Sequence, residues 1–191
     1  MPTSPHAYLS LGAQFLRLSY EVSVELVKNR NPHFVVSEAP LSPGEYEHRT
    51  RWADHMVGVA ALFNLFHGIE LILKGFLGAR QSFPKHHRLT DLLREFDRTY
   101  PGEALTALIA AAFDMSRQDT PLARFFRANS LQLDQWYEAL KYPELRDGTA
   151  VDHFGLKYRG EEAAPFWAGL AESAAQIQRR AVALSHSLSI T

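Results

Sequence analysis

Along most of the chain apolar residues recur at steps of three and four, the spacing that gathers them on one face of a helix. Ala7, Leu11, Phe15, Leu18, Val22 and Leu26 form the first such stripe, started by Ser4-Pro5 and ended by Asn31-Pro32. Residues 33–44 hold Pro40 and Pro43-Gly44 with little periodicity and read as a loop, with a short extended run at His33-Phe34-Val35-Val36. Ser42-Pro43-Gly44-Glu45 has the spacing of a capping box, so a long second helix is expected from there to Leu77, with Gly78 as its C-cap. Its later turns, through Leu71, Ile72, Leu73, Phe76 and Leu77, are apolar nearly all round, as in a helix enclosed by others. Gly58, Gly68 and Gly75 within it each cost about 1 kcal/mol against alanine, which points to a neighbouring helix packed close at those positions.

A third helix is predicted from about Leu89 to Tyr100, with Leu89, Leu92, Leu93 and Phe96 on one face and Pro101-Gly102 as its stop. A fourth follows from Glu103. After Arg117-Gln118-Asp119-Thr120, Pro121 can start a further helix carrying Leu122, Phe125, Phe126, Leu131, Leu133, Trp136 and Leu140, broken near Asn129-Ser130. Phe125 and Phe126 read as core residues. Residues 141–164 are the least helical, and Asp147-Gly148 marks a turn in an ordered loop or short hairpin. The last helix starts at about Pro165 and carries Leu170, Ala174, Ile177, Ala181, Leu184 and Leu188 as a packing seam. The pattern predicts an all-α, up-and-down bundle forming a single domain over residues 1–191.

Composition narrows the chemistry. The 191 residues suit one domain with a real core. A formal net charge of −1 supplies no global attraction to nucleic acid, so an RNA site has to be a local patch. With no cysteine, disulfides, thiolate metal sites and a cysteine nucleophile are excluded. MPTSPHAYLS lacks the pattern of a signal peptide, and Asn64, His67, Glu70 and Lys74 interrupt the longest apolar stretch, so a soluble cytoplasmic protein without a membrane partner is expected. Phosphate-loop, dinucleotide and nucleophile-elbow motifs do not occur. The spacings among His55, His67, Glu70, His86 and His87 do not make a metal-ligand set, and no cofactor is expected.

Glu70 and Lys74 stand at i and i+4 with the acid first, the better orientation for a helical pair. Set in so apolar a helix, they either line a cleft or lie where another subunit covers them. The run Gly-Ile-Glu-Leu-Ile-Leu-Lys-Gly-Phe-Leu at 68–77, followed by His87-Arg88-Leu89 and Leu92-Leu93, resembles the central signature of HEPN domains, E-x-x-L-K-x-x-L then H-x-L-x-x-L. Lys141-Tyr142-Pro143 is similar to the R-Y-P of some branches. The resemblance implies a HEPN-like core over about residues 45–145 with additional N- and C-terminal helices, and a homodimer.

The resemblance further implies two functions. HEPN nucleases cut RNA without metal through an Arg-x(4–6)-His motif, with histidine moving a proton at the ribose 2′-hydroxyl and arginine stabilising charge on the phosphate. Here Arg179 or Arg180 with His186 takes that place, which implies an endoribonuclease of a defence or toxin system with an antitoxin or nucleotidyltransferase-like partner. The pattern also fits Arg49 with His55, Arg80 with His86 or His87, and Arg146 with His153, and Ala181 replaces a polar residue of active members. The favoured reading is therefore a non-catalytic module that binds a nucleotide, an RNA or a protein through Glu70, Lys74, His87, Lys141 and Tyr142. A solvated helix face is the favoured account of Arg179 and His186, and a stabilising pair accounts equally for Glu70 with Lys74.

Overall fold

The computed structural model describes residues 4–32, 34–114 and 119–190. His33, Arg117 and Gln118, which figure in the sequence reading, lie outside them. Within these residues the regular structure is helical: α1 (Pro5–Lys28), α2 (Pro43–Thr50), α3 (Val59–Gly78), α4 (Leu89–Thr99), α5 (Ala104–Asp114), α6 (Pro121–Ala128), α7 (Trp136–Lys141) and α8 (Ala164–Ser187). Helix α3 is the axis of the bundle, packed by α1, α4, α7 and α8. Every residue from Gly68 to Leu77 is buried, as the apolar circumference predicts. Each fully buried leucine, isoleucine or phenylalanine there contributes about 1.5–3 kcal/mol by leaving water.

By length and composition the stretch Asp54–Gly78 would suffice to cross a bilayer, with a mean hydropathy of 1.8. The expectation that its polar residues make it fall short is thus not met. Its surroundings decide its role: 61% of its apolar window is buried inside the fold, the condition of a core helix.

Helix α1 runs antiparallel to α3 along a seam of small residues. Gly12 faces the Gly68 carbonyl, and an added Cβ would stand 3.0 Å from that oxygen. A Cβ on Gly68 would meet Leu16 Cγ at 2.8 Å, and one on Gly75 would meet Leu9 Cγ at 2.8 Å. Farther along, Ser19 Oγ donates to the Ala61 carbonyl at 2.9 Å. The stripe predicted for α1 is therefore rotated. The buried residues are Leu9, Gly12, Leu16, Ser19, Ser23 and Leu26, while Leu11 and Leu18 are exposed. Close approach of two helices selects small side chains at the contact, which a count of large apolar residues does not register.

The long second helix is also corrected. Ser42 and Glu45 form the expected reciprocal cap, with Glu45 N donating to Ser42 Oγ at 3.3 Å and Ser42 N donating to Glu45 Oε2 at 2.9 Å. The helix nonetheless ends at Thr50. Ala53 is extended, and a single π turn at Asp54–Gly58 leads into α3. The break serves Asp54, whose buried carboxylate accepts from the backbone amides of Tyr158 at 2.6 Å and Arg159 at 2.9 Å and from Asn31 Nδ2 at 2.9 Å. Asn31 also accepts from Asp54 N at 2.7 Å and donates to the Gly160 carbonyl at 2.9 Å. One carboxylate thus ties the end of α1 and the start of α3 to the segment before α8.

Residues 142–163 are ordered by short means. Leu145 N and Thr149 O bond across the Asp147-Gly148 turn at 2.8 Å, beside a bridge between Glu144 and Ala150, and two 3-10 turns follow at Phe154–Leu156 and Gly160–Ala163. Helix α8 buries Leu170, Ala174, Ile177, Ala181 and Leu184, the seam read from the sequence.

Gly68→Ala is expected to lower unfolding stability by about 1–3 kcal/mol, because its Cβ would also stand 3.0 Å from the Leu16 backbone nitrogen. Gly169→Ala, in α8 with nothing within 4 Å of the new Cβ, is expected to leave stability unchanged or raise it by up to about 1 kcal/mol. Urea denaturation of both variants measures the contrast, and an equal effect would sink the tight-seam account.

Candidate functional site

Glu70 lies 1% exposed on α3. Its Oε1 accepts from Lys74 Nζ at 2.7 Å, one turn later, and from His87 Nδ1 at 2.8 Å, ahead of α4. His67 Nδ1 stands 3.7 Å from Oε2, too far for a direct hydrogen bond. Burial pushes the Glu70 carboxyl up, but the neighbouring His67, Lys74 and His87 outweigh it and hold its pKa down at about 2. The carboxylate is ionised, so His87 Nδ1 is the donor. His87 does not spend its ring on nearby backbone as a loop histidine often does; instead its backbone carbonyl accepts from Trp136 Nε1 at 3.2 Å.

The structure brings Glu70, Lys74 and His87 together, as the sequence grouping has them, yet only His87 reaches solvent. The Lys74 side chain is 7% exposed and that of Glu70 2%, so this pair is a sealed charge couple and His87 is its outward face. The His87 ring stacks on Tyr137 of α7 with centroids 4.5 Å apart. Lys141, at the end of α7, donates to Tyr137 Oη at 2.8 Å and lies 4.6 Å from the Tyr137 ring centroid and 5.1 Å from that of Tyr142. The five binding candidates therefore form one line from the core to the surface, with Tyr137 as a link that the sequence reading missed.

Lys141 and Tyr142 open onto a cleft of about 510 Å³. Met56, Phe63 and Leu140 give it apolar walls, and Lys157, His55 and His153 add cationic or titratable groups. His153 is fixed by Nε2 against the Ala139 carbonyl at 2.6 Å and by a stack on Phe125 with centroids 5.5 Å apart. His55 stacks on Tyr158 at 4.7 Å. The Asp54 knot builds the cleft, since it holds His55 on the π turn and Lys157, Tyr158 and Arg159 on the facing segment. Asp54 and Lys157 were not singled out from the sequence. An aspartate just ahead of an apolar run is a break signal that marks Asp54, but nothing local marks Lys157.

The other predicted trio lies elsewhere, on α8. Arg180 donates through Nε to Glu103 Oε1 at 2.5 Å and through Nη2 to Oε2 at 2.7 Å, which fastens α8 to the start of α5. Arg179 stands 3.4 Å from Glu172, and His186 is exposed in the last turn of α8. Comparison with protein-family models, with curated proteins and with solved structures finds no match to this chain.

Glu70 makes stability pH-dependent with a defined sign. Its folded pKa, about 2, lies below the ordinary carboxylate value, so its contribution is complete above about pH 4.5 and is lost as pH falls toward 2. The loss is expected to reach about 3 kcal/mol. Glu70→Gln is expected to remove that acid-side slope and to cost about 3–5 kcal/mol at neutral pH, by leaving the Lys74 ammonium buried without a counterion. Chemical denaturation from pH 7 to pH 2.5 checks both, and a variant as acid-sensitive as the parent would refute the assignment.

Proposed function

We propose that this chain is a non-catalytic, HEPN-like helical module that binds a nucleotide, free or as part of an RNA strand, in the cleft beside Tyr142. The observation that carries this reading is the convergence of Lys141, Tyr142, Lys157 and His153 on one partly apolar cleft of about 510 Å³, within the usual range for small-ligand sites. Ammonium groups neutralise a phosphate, and a planar base packs against Phe63, Met56 or the Tyr142 ring. The cleft is a local basic site in a chain of net charge −1, which is what nucleotide binding here requires.

The non-catalytic reading is favoured over the nuclease because the Arg180 guanidinium is already held on two nitrogens by Glu103. A homodimer belongs to the same proposal.

Calorimetric titration with adenosine 5′-monophosphate and with a six-nucleotide single-stranded RNA is expected to show binding that Lys141→Ala weakens about tenfold, the loss of about 1.4 kcal/mol. RNA kept with the protein in EDTA is expected to remain intact, and light scattering on the same sample to give twice the chain mass. Cleavage by the parent protein that is lost in His186→Ala would replace this reading with the endoribonuclease. Absence of binding to both probes would remove the cleft as a nucleotide site.

A further inference from the structure

Resting on the cleft as the ligand site, we infer that Tyr137 is a positioning residue: it presents the Lys141 ammonium to the anionic group of the ligand, and is itself held by His87 and the buried Glu70. A lysine at a helix end ordinarily samples many rotamers, and fixing it on a ligand costs about 1.5–2 kcal/mol of side-chain freedom. Lys141 is exposed but already engaged. Its Nζ donates to Tyr137 Oη at 2.8 Å and lies close to two aromatic rings. An ammonium carries three donors, so Tyr137 and Tyr142 together leave donor capacity for a phosphate.

The chain of contacts extends inward. The Tyr137 ring lies on His87 with an interplanar angle of 20° and meets Trp136 edge-on at 5.3 Å. His87 is held by Glu70 through its ring and by Trp136 through its backbone carbonyl. Two nearby acids are occupied: Glu138 pairs with Arg146 at 2.5 Å, and Asp54 is taken up by Asn31 and two backbone amides. The hydrogen bond from Lys141 to the Tyr137 hydroxyl favours the charged amine and raises its pKa above the ordinary lysine value, so it meets the ligand as a cation. A pair serving only to decorate the helix would not need its tyrosine anchored on a buried carboxylate.

The test is a double-mutant cycle in adenosine 5′-monophosphate binding with Tyr137→Phe, Lys141→Ala and the double variant. Tyr137→Phe keeps the ring on His87 and removes only the hydroxyl, so the thermal midpoint reports whether the fold is retained. Tyr137→Phe is expected to weaken binding about threefold to tenfold, the worth of one oriented hydrogen bond, and to add nothing once Lys141 is alanine. Adenosine, which lacks the phosphate, is expected to bind the parent and Tyr137→Phe alike. Nucleotide affinity unchanged in Tyr137→Phe, or a loss that adds in full to that of Lys141→Ala, overturns the inference and leaves the cleft as a binding site. A parent protein that binds neither the nucleotide nor RNA overturns the cleft reading, and this inference with it.

Discussion

A helix enclosed on all sides cannot carry an unpaired charge, and the organisation of this protein follows from how α3 meets that condition. Its burial supplies much of the driving force for the bundle, yet Glu70 and Lys74 sit in its middle. An isolated ion there would cost several kcal/mol, more than a domain of this size can readily spare. The two charges answer each other along one helical turn, and His87 supplies a second donor from the next segment. The polar link across the core thereby fixes where the connection between α3 and α4 runs. That connection in turn places His87 under Tyr137 and sets the position of α7.

The packing of α1 against α3 is a separate constraint solved by subtraction. Gly12, Gly68 and Gly75 bring two backbones close enough for Ser19 to bond a carbonyl of the other helix. Large side chains on α1 then fall to the flanks of the seam, and Leu11 and Leu18 end up exposed. Gly68 and Gly75 of α3 announce this contact in the sequence, because each costs helix stability unless a neighbour packs close, whereas Gly58, ahead of α3, faces Trp167 of α8. The partner face of α1 is not announced, since Gly12, Ser19 and Ser23 are weak hydrophobic signals among stronger ones.

Legibility otherwise divides by range. The Ser42-Glu45 capping box and the Asp147-Gly148 turn depend on residues within a few positions of one another and stand where local chemistry puts them. The expected C-cap Gly78, by contrast, is the last helical residue of α3 and Ala79 caps it, and α1 ends at Lys28, ahead of Asn31-Pro32. The break before Asp54 depends on amides 104 and 105 residues away, so a reading by period runs straight through it. The candidate site shows the same division. Glu70, Lys74 and His87 stand in contact, as their sequence spacing suggests, but whether they line a cleft or lie sealed depends on α1, α4 and α7, which no spacing within 68–89 can report. Lys141 and Tyr142 stand beside Pro143 in the sequence, whereas Lys157 reaches them through the knot at Asp54 and His153 through its bond to the Ala139 carbonyl and its stack on Phe125.

That knot also explains how a region with so little regular structure can form one wall of a cleft. Tyr158 adopts a left-handed conformation at φ 58° and Gly160 another at φ 64°, which turns the Tyr158 and Arg159 amides together toward one acceptor. Successive amides arranged in this way make an anion-binding concavity. Asp54 fills it from within the chain, so the concavity serves as a fastening. The segment spends its amides on holding itself in place, so what it presents to the cleft is side chains, Lys157 and His153, on the same cleft as Lys141.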